Sequence, residues 1–199
     1  MLYYLPQLSV TSVSNVTVGP ILLGMLMAMA TAETTTTSPE KTQGLINYLL
    51  VEINNLKQEF DEPTDVCKSE VALSENKMNV PKITEQDKCL HTTFDKETCL
   101  RRISTGLLEF QVYVKYLHRN FNDKASSKAL PVGTRVLFDI LHKKVSCPCE
   151  ITGPAPEVTA SIEEKLDALT GWEKKTAMRL ILCDLQEFLQ YTLRVAHVV

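Results

Sequence analysis

Histidine, cysteine and aspartate side chains are the residues of this chain whose types and spacing could support catalysis or metal binding. Asp139 and His142 have the i, i+3 spacing of a ligand pair on a helix, and Cys147 and Cys149 follow closely. A di-metal bundle site needs two Glu-x-x-His motifs and two more glutamates, and a zinc site needs a fourth ligand, which this spacing does not supply. The remaining histidines, at 91, 118 and 197, stand in no catalytic motif, and G-x-S-x-G, Gly-rich phosphate-loop and H-E-x-x-H patterns are absent from the sequence. The sequence therefore predicts no enzyme, no catalytic residues, no metal and no cofactor.

Composition limits the partners that the chain can have. The 199 residues include 21 Lys plus Arg and 24 Asp plus Glu, for a formal net charge of −3, and 44% are hydrophobic. This is the composition of a globular protein long enough to bury one core. Nucleic-acid binding depends on clustered cations, so this balance argues against it.

The first 32 residues resemble a targeting segment. Residues 1–32 contain no Asp, Glu, Lys or Arg, and the apolar run Pro20–Ala30 is too short for a membrane span, which needs about 20 apolar residues. Ala30-Thr31-Ala32 fits a signal-peptidase site. We expect residues 1–32 to be a signal peptide and residues 33–199 to be one secreted domain with a mobile stretch at 33–38. The alternative is an uncleaved anchor or a buried first helix.

Apolar side chains at spacings of three to five residues predict four long helices. The first begins at Ser38-Pro39-Glu40 and spans about 20 residues. The second runs from about Lys96 to Phe121, and a polar link over 122–128 leads to the third. A capping box at Ser161–Glu164 opens a short helix that Gly171 interrupts, and the last helix runs from about Trp172 to Val198.

The lengths of the connections predict the topology. They are long, short and long, and a short link forces neighbouring helices to be antiparallel, whereas a long link lets the chain return and run the same way. The predicted fold is an all-α four-helix bundle in up-up-down-down order. An up-down-up-down bundle with decorated loops is the alternative.

One stretch of the sequence matches a known family. The sequence contains Cys89, nine residues, Cys99, six residues, Gly106-Leu107, two residues and Phe110. This spacing resembles the pattern of the interleukin-6 family. The crossover Ala72–Lys82 and the segments Leu180–Leu182, Glu187–Gln190 and Leu193-Arg194 are also similar to it. The resemblance extends from about Ser38 to Val199. It implies a long-chain cytokine that binds a specific alpha receptor and then the shared signal-transducing receptor chain of the family, in immune, acute-phase and inflammatory signalling.

The resemblance also bears on the cysteines. It implies a disulfide between Cys89 and Cys99. The family has a second short-range pair upstream, of which only Cys67 has a counterpart here. Cys67 is then either free or bonded to Cys147 or Cys149, and Cys183 is either a small core residue or an exposed thiol.

Three receptor-binding faces follow from the resemblance. It implies that the alpha receptor contacts Phe94, Gln190 and Arg194, although Leu90, Cys183 and His197 depart from the family's usual residues. It implies that the shared receptor chain contacts a first face formed by Tyr48, Gly133 and Val136, and a second formed by Leu73, Glu75, Asn76 and Trp172. Three structural alternatives stay open: Phe94 stapled onto the second helix, Gly133 as a helix start, and Trp172 capping the core.

Other functions remain possible on the sequence alone. A colony-stimulating-factor-like growth factor would share the topology and act on a different receptor, but would lack the Cys89–Phe110 spacing. A lipid carrier or antimicrobial bundle would need a cavity or a basic face, and the lysines here are scattered.

Overall fold

The computed structural model describes residues 39–60, 67, 78–89, 94–122, 124–146 and 151–198. These residues form five α-helices and no strand: α1 Pro39–Lys57, α2 Lys96–Asn120, α3 Ala125–His142, α4 Pro156–Asp167 and α5 Gly171–Ala196. A 3-10 turn, Glu85–Asp87, precedes α2. The helices belong to one unit, Thr37–Val199. The predicted signal peptide and mobile N-terminus, as well as Leu73, Glu75 and Asn76, lie outside the described residues.

Two helix starts differ from the prediction. α3 begins at Ala125 and contains Pro131, so most of the predicted link over 122–128 is helical. The helix starts this early because Lys128 already donates its N–H to Lys124 O. α4 begins at Pro156, five residues before the capping box, since proline at a first helical position needs no backbone donor. Sequence patterns give helix ends less precisely than helix cores.

α2 and α3 run antiparallel. Gln111 Nε2 donates to Thr134 Oγ1 at 2.8 Å, and Ser146 N–H donates to Glu97 Oε2 at 2.9 Å. As residue numbers rise along α2, the numbers of the residues that they contact on α3 fall. The short turn between these helices permits this arrangement alone.

α1 is antiparallel to both α3 and α5. Leu49 lies against Gly133 while Glu59 pairs with Lys124, so α3 runs opposite to α1. Lys57 Nζ donates to Gln186 Oε1 at 2.9 Å. Phe60, just beyond α1, stacks under the Arg179 guanidinium, with Cζ 5.4 Å from the ring centroid, so α5 also runs opposite to α1. α1 and α2 are thus parallel to each other, as are α3 and α5, which confirms up-up-down-down topology.

The hydrophobic core lies between the four long helices. Its fully buried members include residues from α1, α2, α3 and α5: Ile46, Ile53, Leu107, Leu117, Leu137 and Leu185. At its centre the Phe110 and Phe188 rings meet edge to face with centroids 5.2 Å apart. Gly106 makes this contact possible, because a Cβ there would lie 2.5 Å from the tip of the Phe188 ring.

We expect Gly106→Ala to destabilise the protein by about 1–2 kcal/mol. The added methyl group overlaps Phe188, and overpacking of about 1–3 kcal/mol exceeds the gain of up to about 1 kcal/mol from better helix propensity. Gly44 is the matched control, because it lies in α1 and a Cβ added to it would have no neighbouring atom within 4 Å. Gly44→Ala should therefore be neutral or stabilising by up to about 1 kcal/mol. Urea unfolding of both variants measures the difference, and equal effects would contradict the packing argument.

Candidate receptor-binding surfaces

The C-terminal end of α5 and the start of α2 lie at the same end of the bundle, because these two helices are antiparallel. Gln190 and Arg194 are exposed on α5, and the Arg194 guanidinium stacks on Tyr191 with Cζ 4.1 Å from the ring centroid. Phe94, just before α2, is half-buried and packs against the hydrophobic core. The structure thus brings the three predicted alpha-receptor residues to one end of the bundle, with Phe94 less exposed than the other two.

The segment before α2 is held in place by a disulfide and a helix cap. Cys89 and Cys99 are bonded to each other, as the resemblance implied, with Cα atoms 4.9 Å apart. Asp95 caps α2 by accepting from Thr98 N–H at 2.7 Å. The backbone and side-chain hydrogen bonds from Thr98 hold the pKa of Asp95 below its ordinary value, so the cap is ionised at neutral pH. These constraints hold Phe94 at the start of α2.

An acidic group lies on α5 between the middle of the helix and Arg194. Asp184 lines a shallow depression with Tyr191 and Lys82, and Lys82 Nζ lies 3.8 Å from Asp184 Oδ1. Burial raises the pKa of Asp184, and the Lys82 ammonium offsets part of that shift. This surface therefore combines one exposed arginine with a half-buried carboxylate.

Trp172 lies at the opposite end of the same helix. It directly follows Gly171, whose φ of +52° favours glycine, and 61% of its side chain is exposed. Trp172 is therefore not a core residue that caps the end of the bundle, which was the structural alternative for it. Because α5 is continuous from Gly171 to Ala196, Trp172 and Arg194 are separated by about 33 Å at 1.5 Å per residue.

A third surface joins α1 and α3. Tyr48 is 51% exposed and Val136 is 43% exposed. Val51, one turn from Tyr48, and Val132, one turn from Val136, are also exposed apolar residues, and sequence reasoning missed them. We call these four residues the α1–α3 face. The three-residue spacing of Tyr48 and Val51 and the four-residue spacing of Val132 and Val136 could have predicted this face from the sequence. An apolar stripe on the outside of a helix is expected to be covered by a partner.

Gly133 does not belong to this surface. It is buried, and a Cβ there would lie 2.5 Å from Leu49 Cδ2. The prediction that a small residue would let a partner approach is corrected: the close approach is made by Leu49 of the same chain. Gly133 is also well inside α3, so the helix-start alternative does not apply either.

The pairing of Cys67 also differs from the prediction. Cys67 is bonded to Cys183 of α5, with Cα atoms 5.6 Å apart, and is neither free nor available to Cys147 or Cys149. The bond ties the crossover after α1 to the middle of α5. Two departures from the family pattern, the missing upstream partner of Cys67 and the cysteine at position 183, could together have predicted this bond from the sequence.

Neither a metal-binding cluster nor a membrane-spanning helix is found among the described residues. Within them, no group of three or more His, Cys, Asp or Glu side chains is placed to hold a metal ion. His142 stacks on Phe138 with ring centroids 5.2 Å apart, and Cys147 and Cys149 lie outside the described residues. Of the helices described, none has the length and apolar character needed to cross a bilayer.

Comparison with known proteins identifies the family. The model of the interleukin-6/G-CSF/MGF family matches residues 27–199, which is most of the chain. The chain belongs to this family. Interleukin-6 of Lama glama is 40% identical over 94% of this chain and 99% of its own length. Interleukin-6 of Orcinus orca is 43% identical over 79% of this chain and 78% of its own length.

Solved structures of similar proteins agree with this family and its fold. The solution structure of mouse interleukin-6 has a TM-score of 0.60 and 30% identity, and the match covers 94% of this chain and 100% of that one. A crystal structure of a cytokine/receptor complex has a TM-score of 0.69 at 19% identity, covering 81% and 98% of the two chains, and shows the same fold. This chain is therefore an interleukin-6-family cytokine, a signalling ligand and not an enzyme.

Proposed function

We propose that this cytokine is secreted, binds a specific interleukin-6 alpha receptor at the C-terminal end of α5, and then assembles the family's shared signal-transducing receptor chain. The observation that carries the proposal is the exposure of Arg194 and Trp172 at opposite ends of one continuous helix. Two receptors can bind at these ends without competing, because about 33 Å separates them.

The alpha receptor is assigned to the end that carries Gln190 and Arg194. Arginine is enriched among residues that dominate binding energy, and a guanidinium already stacked on Tyr191 loses little side-chain freedom on binding. Cys183 on α5, which is bonded to Cys67, and His197 just after α5 stand where the resemblance implies arginine, so this helix presents fewer cations than the family pattern does. We therefore expect association that depends only weakly on salt.

The shared receptor chain is assigned to two surfaces. The first is the α1–α3 face, whose exposed apolar side chains suit a desolvated contact. The second is Trp172, together with Leu73, Glu75 and Asn76 of the crossover. A ligand with two different patches for one receptor can hold two copies together, and each bound copy raises the effective concentration of the next.

The first test is binding of the soluble alpha receptor to Arg194→Glu. We expect a loss of at least about 2 kcal/mol, or about thirtyfold in Kd, because a hot-spot cation is replaced by an anion on the surface that already carries Asp184 and Glu187. Arg135→Glu is the control with the same charge change, because Arg135 is exposed on α3 and pairs there with Asp139. Surface plasmon resonance should show near-native binding for the control.

Two outcomes would contradict this assignment. Equal binding by Arg194→Glu and Arg135→Glu would remove the alpha receptor from this end of α5. A native chain that fails to bind the alpha receptor but binds a colony-stimulating-factor-type receptor would favour the other branch of the family.

The secretion part of the proposal predicts a specific N-terminus. We expect the protein recovered from culture medium to begin at Glu33, because Ala30-Thr31-Ala32 follows a short apolar run. Intact-mass spectrometry measures this directly. Protein in the medium that retains residues 1–32 would contradict it.

A further inference from the structure

The two disulfides of the described residues lie in different surroundings. Cys89 is 9% exposed and Cys99 is fully buried, so a reagent in solution reaches that bond poorly. Cys67 and Cys183 are both only half-buried. Thiol–disulfide exchange requires access to a sulfur atom, so the Cys67–Cys183 bond is the accessible one.

A cation lies next to one sulfur of the accessible bond. Lys57 Nζ is 3.3 Å from Cys67 Sγ, and the same ammonium donates to Gln186 Oε1 at 2.9 Å. Gln186 Nε2 in turn donates to Asn54 Oδ1 at 3.2 Å. These bonds between α1 and α5 hold the ammonium beside Cys67, and a neighbouring lysine stabilises a thiolate over a thiol.

We propose that Cys67–Cys183 is a site of reversible thiol–disulfide exchange, in which a small external thiol attacks Cys183 and Cys67 is the leaving group. The Lys57 ammonium makes Cys67 the better leaving thiolate, and the thiol with the lower pKa leaves faster. The co-reactant is a low-molecular-weight thiol such as glutathione or a dithiol. The chemistry is independent of the receptor assignments made above.

With a dithiol the exchange takes two steps. One thiolate of the reagent forms a bond to Cys183 Sγ while the Cys67–Cys183 bond breaks, and the electron pair leaves on Cys67. The second thiolate of the reagent then displaces Cys183 and closes the reagent's own disulfide. Two electrons pass from reagent to protein, and the two cysteines take up the two protons. One glutathione carries the exchange only to a mixed disulfide on Cys183 with Cys67 free, and a second glutathione is needed to release Cys183 and form glutathione disulfide.

The decisive experiment treats the native secreted protein with glutathione or dithiothreitol and maps the cysteines by differential alkylation and mass spectrometry. We expect Cys67 and Cys183 to open at least about tenfold faster than Cys89 and Cys99, with native helical circular dichroism while Cys67–Cys183 alone is open. We expect the glutathione adduct on Cys183. Simultaneous opening of both bonds, loss of helicity with the first opening, or an adduct mainly on Cys67 would overturn the proposal.

Variants of Lys57 test the role of the ammonium. Lys57→Met should slow opening of Cys67–Cys183 by about threefold or more, whereas Lys57→Arg, which keeps the charge, should open at nearly the native rate. Lys41→Met is the matched control, because Lys41 is exposed at the other end of α1. A native rate in Lys57→Met, or an equal slowing in Lys41→Met, would overturn the proposal. The position of the glutathione adduct in the native chain decides the question even if Lys57→Met does not fold.

Discussion

Replacing Trp172 by alanine should abolish receptor activation while leaving binding to the alpha receptor close to native. Trp172 is the most exposed large aromatic residue among those described, at 61%, and it lies about 33 Å from Arg194 along α5. An exposed tryptophan that becomes buried in an interface supplies a large part of the binding energy, and its truncation typically costs at least about 2 kcal/mol. Assembly of the shared receptor chain should therefore fail after the first binding step has succeeded.

Two measurements on the same variants separate the steps. Alpha-receptor affinity is measured with the soluble receptor, and activation with cells that carry both receptor chains. Arg194→Glu should show the opposite pattern in the first assay, with weakened alpha-receptor binding. Trp172→Phe is the conservative control, because it keeps an aromatic ring and should retain more activity than Trp172→Ala.

Far-UV circular dichroism must be native in every variant for the comparison to report on binding. Loss of alpha-receptor binding by Trp172→Ala as complete as that by Arg194→Glu would contradict the separation of the two ends. Full activation by both variants would contradict the receptor assignments altogether.

Removing the Cys67–Cys183 disulfide is expected to cost more stability than removing Cys89–Cys99. The first bond closes a sequence separation of 116 residues and the second a separation of 10. In the chain-entropy model, a longer closed loop restricts the unfolded chain more, which gives about 5 kcal/mol for the first and about 3 kcal/mol for the second. The larger loss is predicted although the first bond is the more exposed.

Urea unfolding of the two double-serine variants, Cys67→Ser/Cys183→Ser and Cys89→Ser/Cys99→Ser, measures both losses. The native chain in the absence of reductant is the reference. A larger loss for the buried Cys89–Cys99 pair would show that packing around Cys99, and not loop closure, dominates. Peptide mapping that pairs Cys67 with any residue other than Cys183 would remove the basis of the comparison.

The sequence by itself determined the helices and the order in which they run. The bounds of α2 were predicted to within one residue, because its seam from Leu100 to Phe121 repeats every three or four residues and helical periodicity is a local property. The short link before α3 and the long connections elsewhere determined the topology, since loop length limits how far the chain can return. The family pattern around Cys89 and Cys99 implied their disulfide correctly, because both cysteines lie in one short segment.

Only the tertiary structure decided which residues meet across the bundle and which stay exposed. Cys67 and Cys183 are far apart in sequence, and a disulfide requires Cα atoms within about 7 Å, a distance set by the packing of α5 against the end of α1. The same packing buries Gly133 beneath Leu49 and leaves Val51 and Val132 in solvent. Residue type and local spacing do not contain this information, because the burial of a side chain on a helix depends on which neighbouring helix covers it.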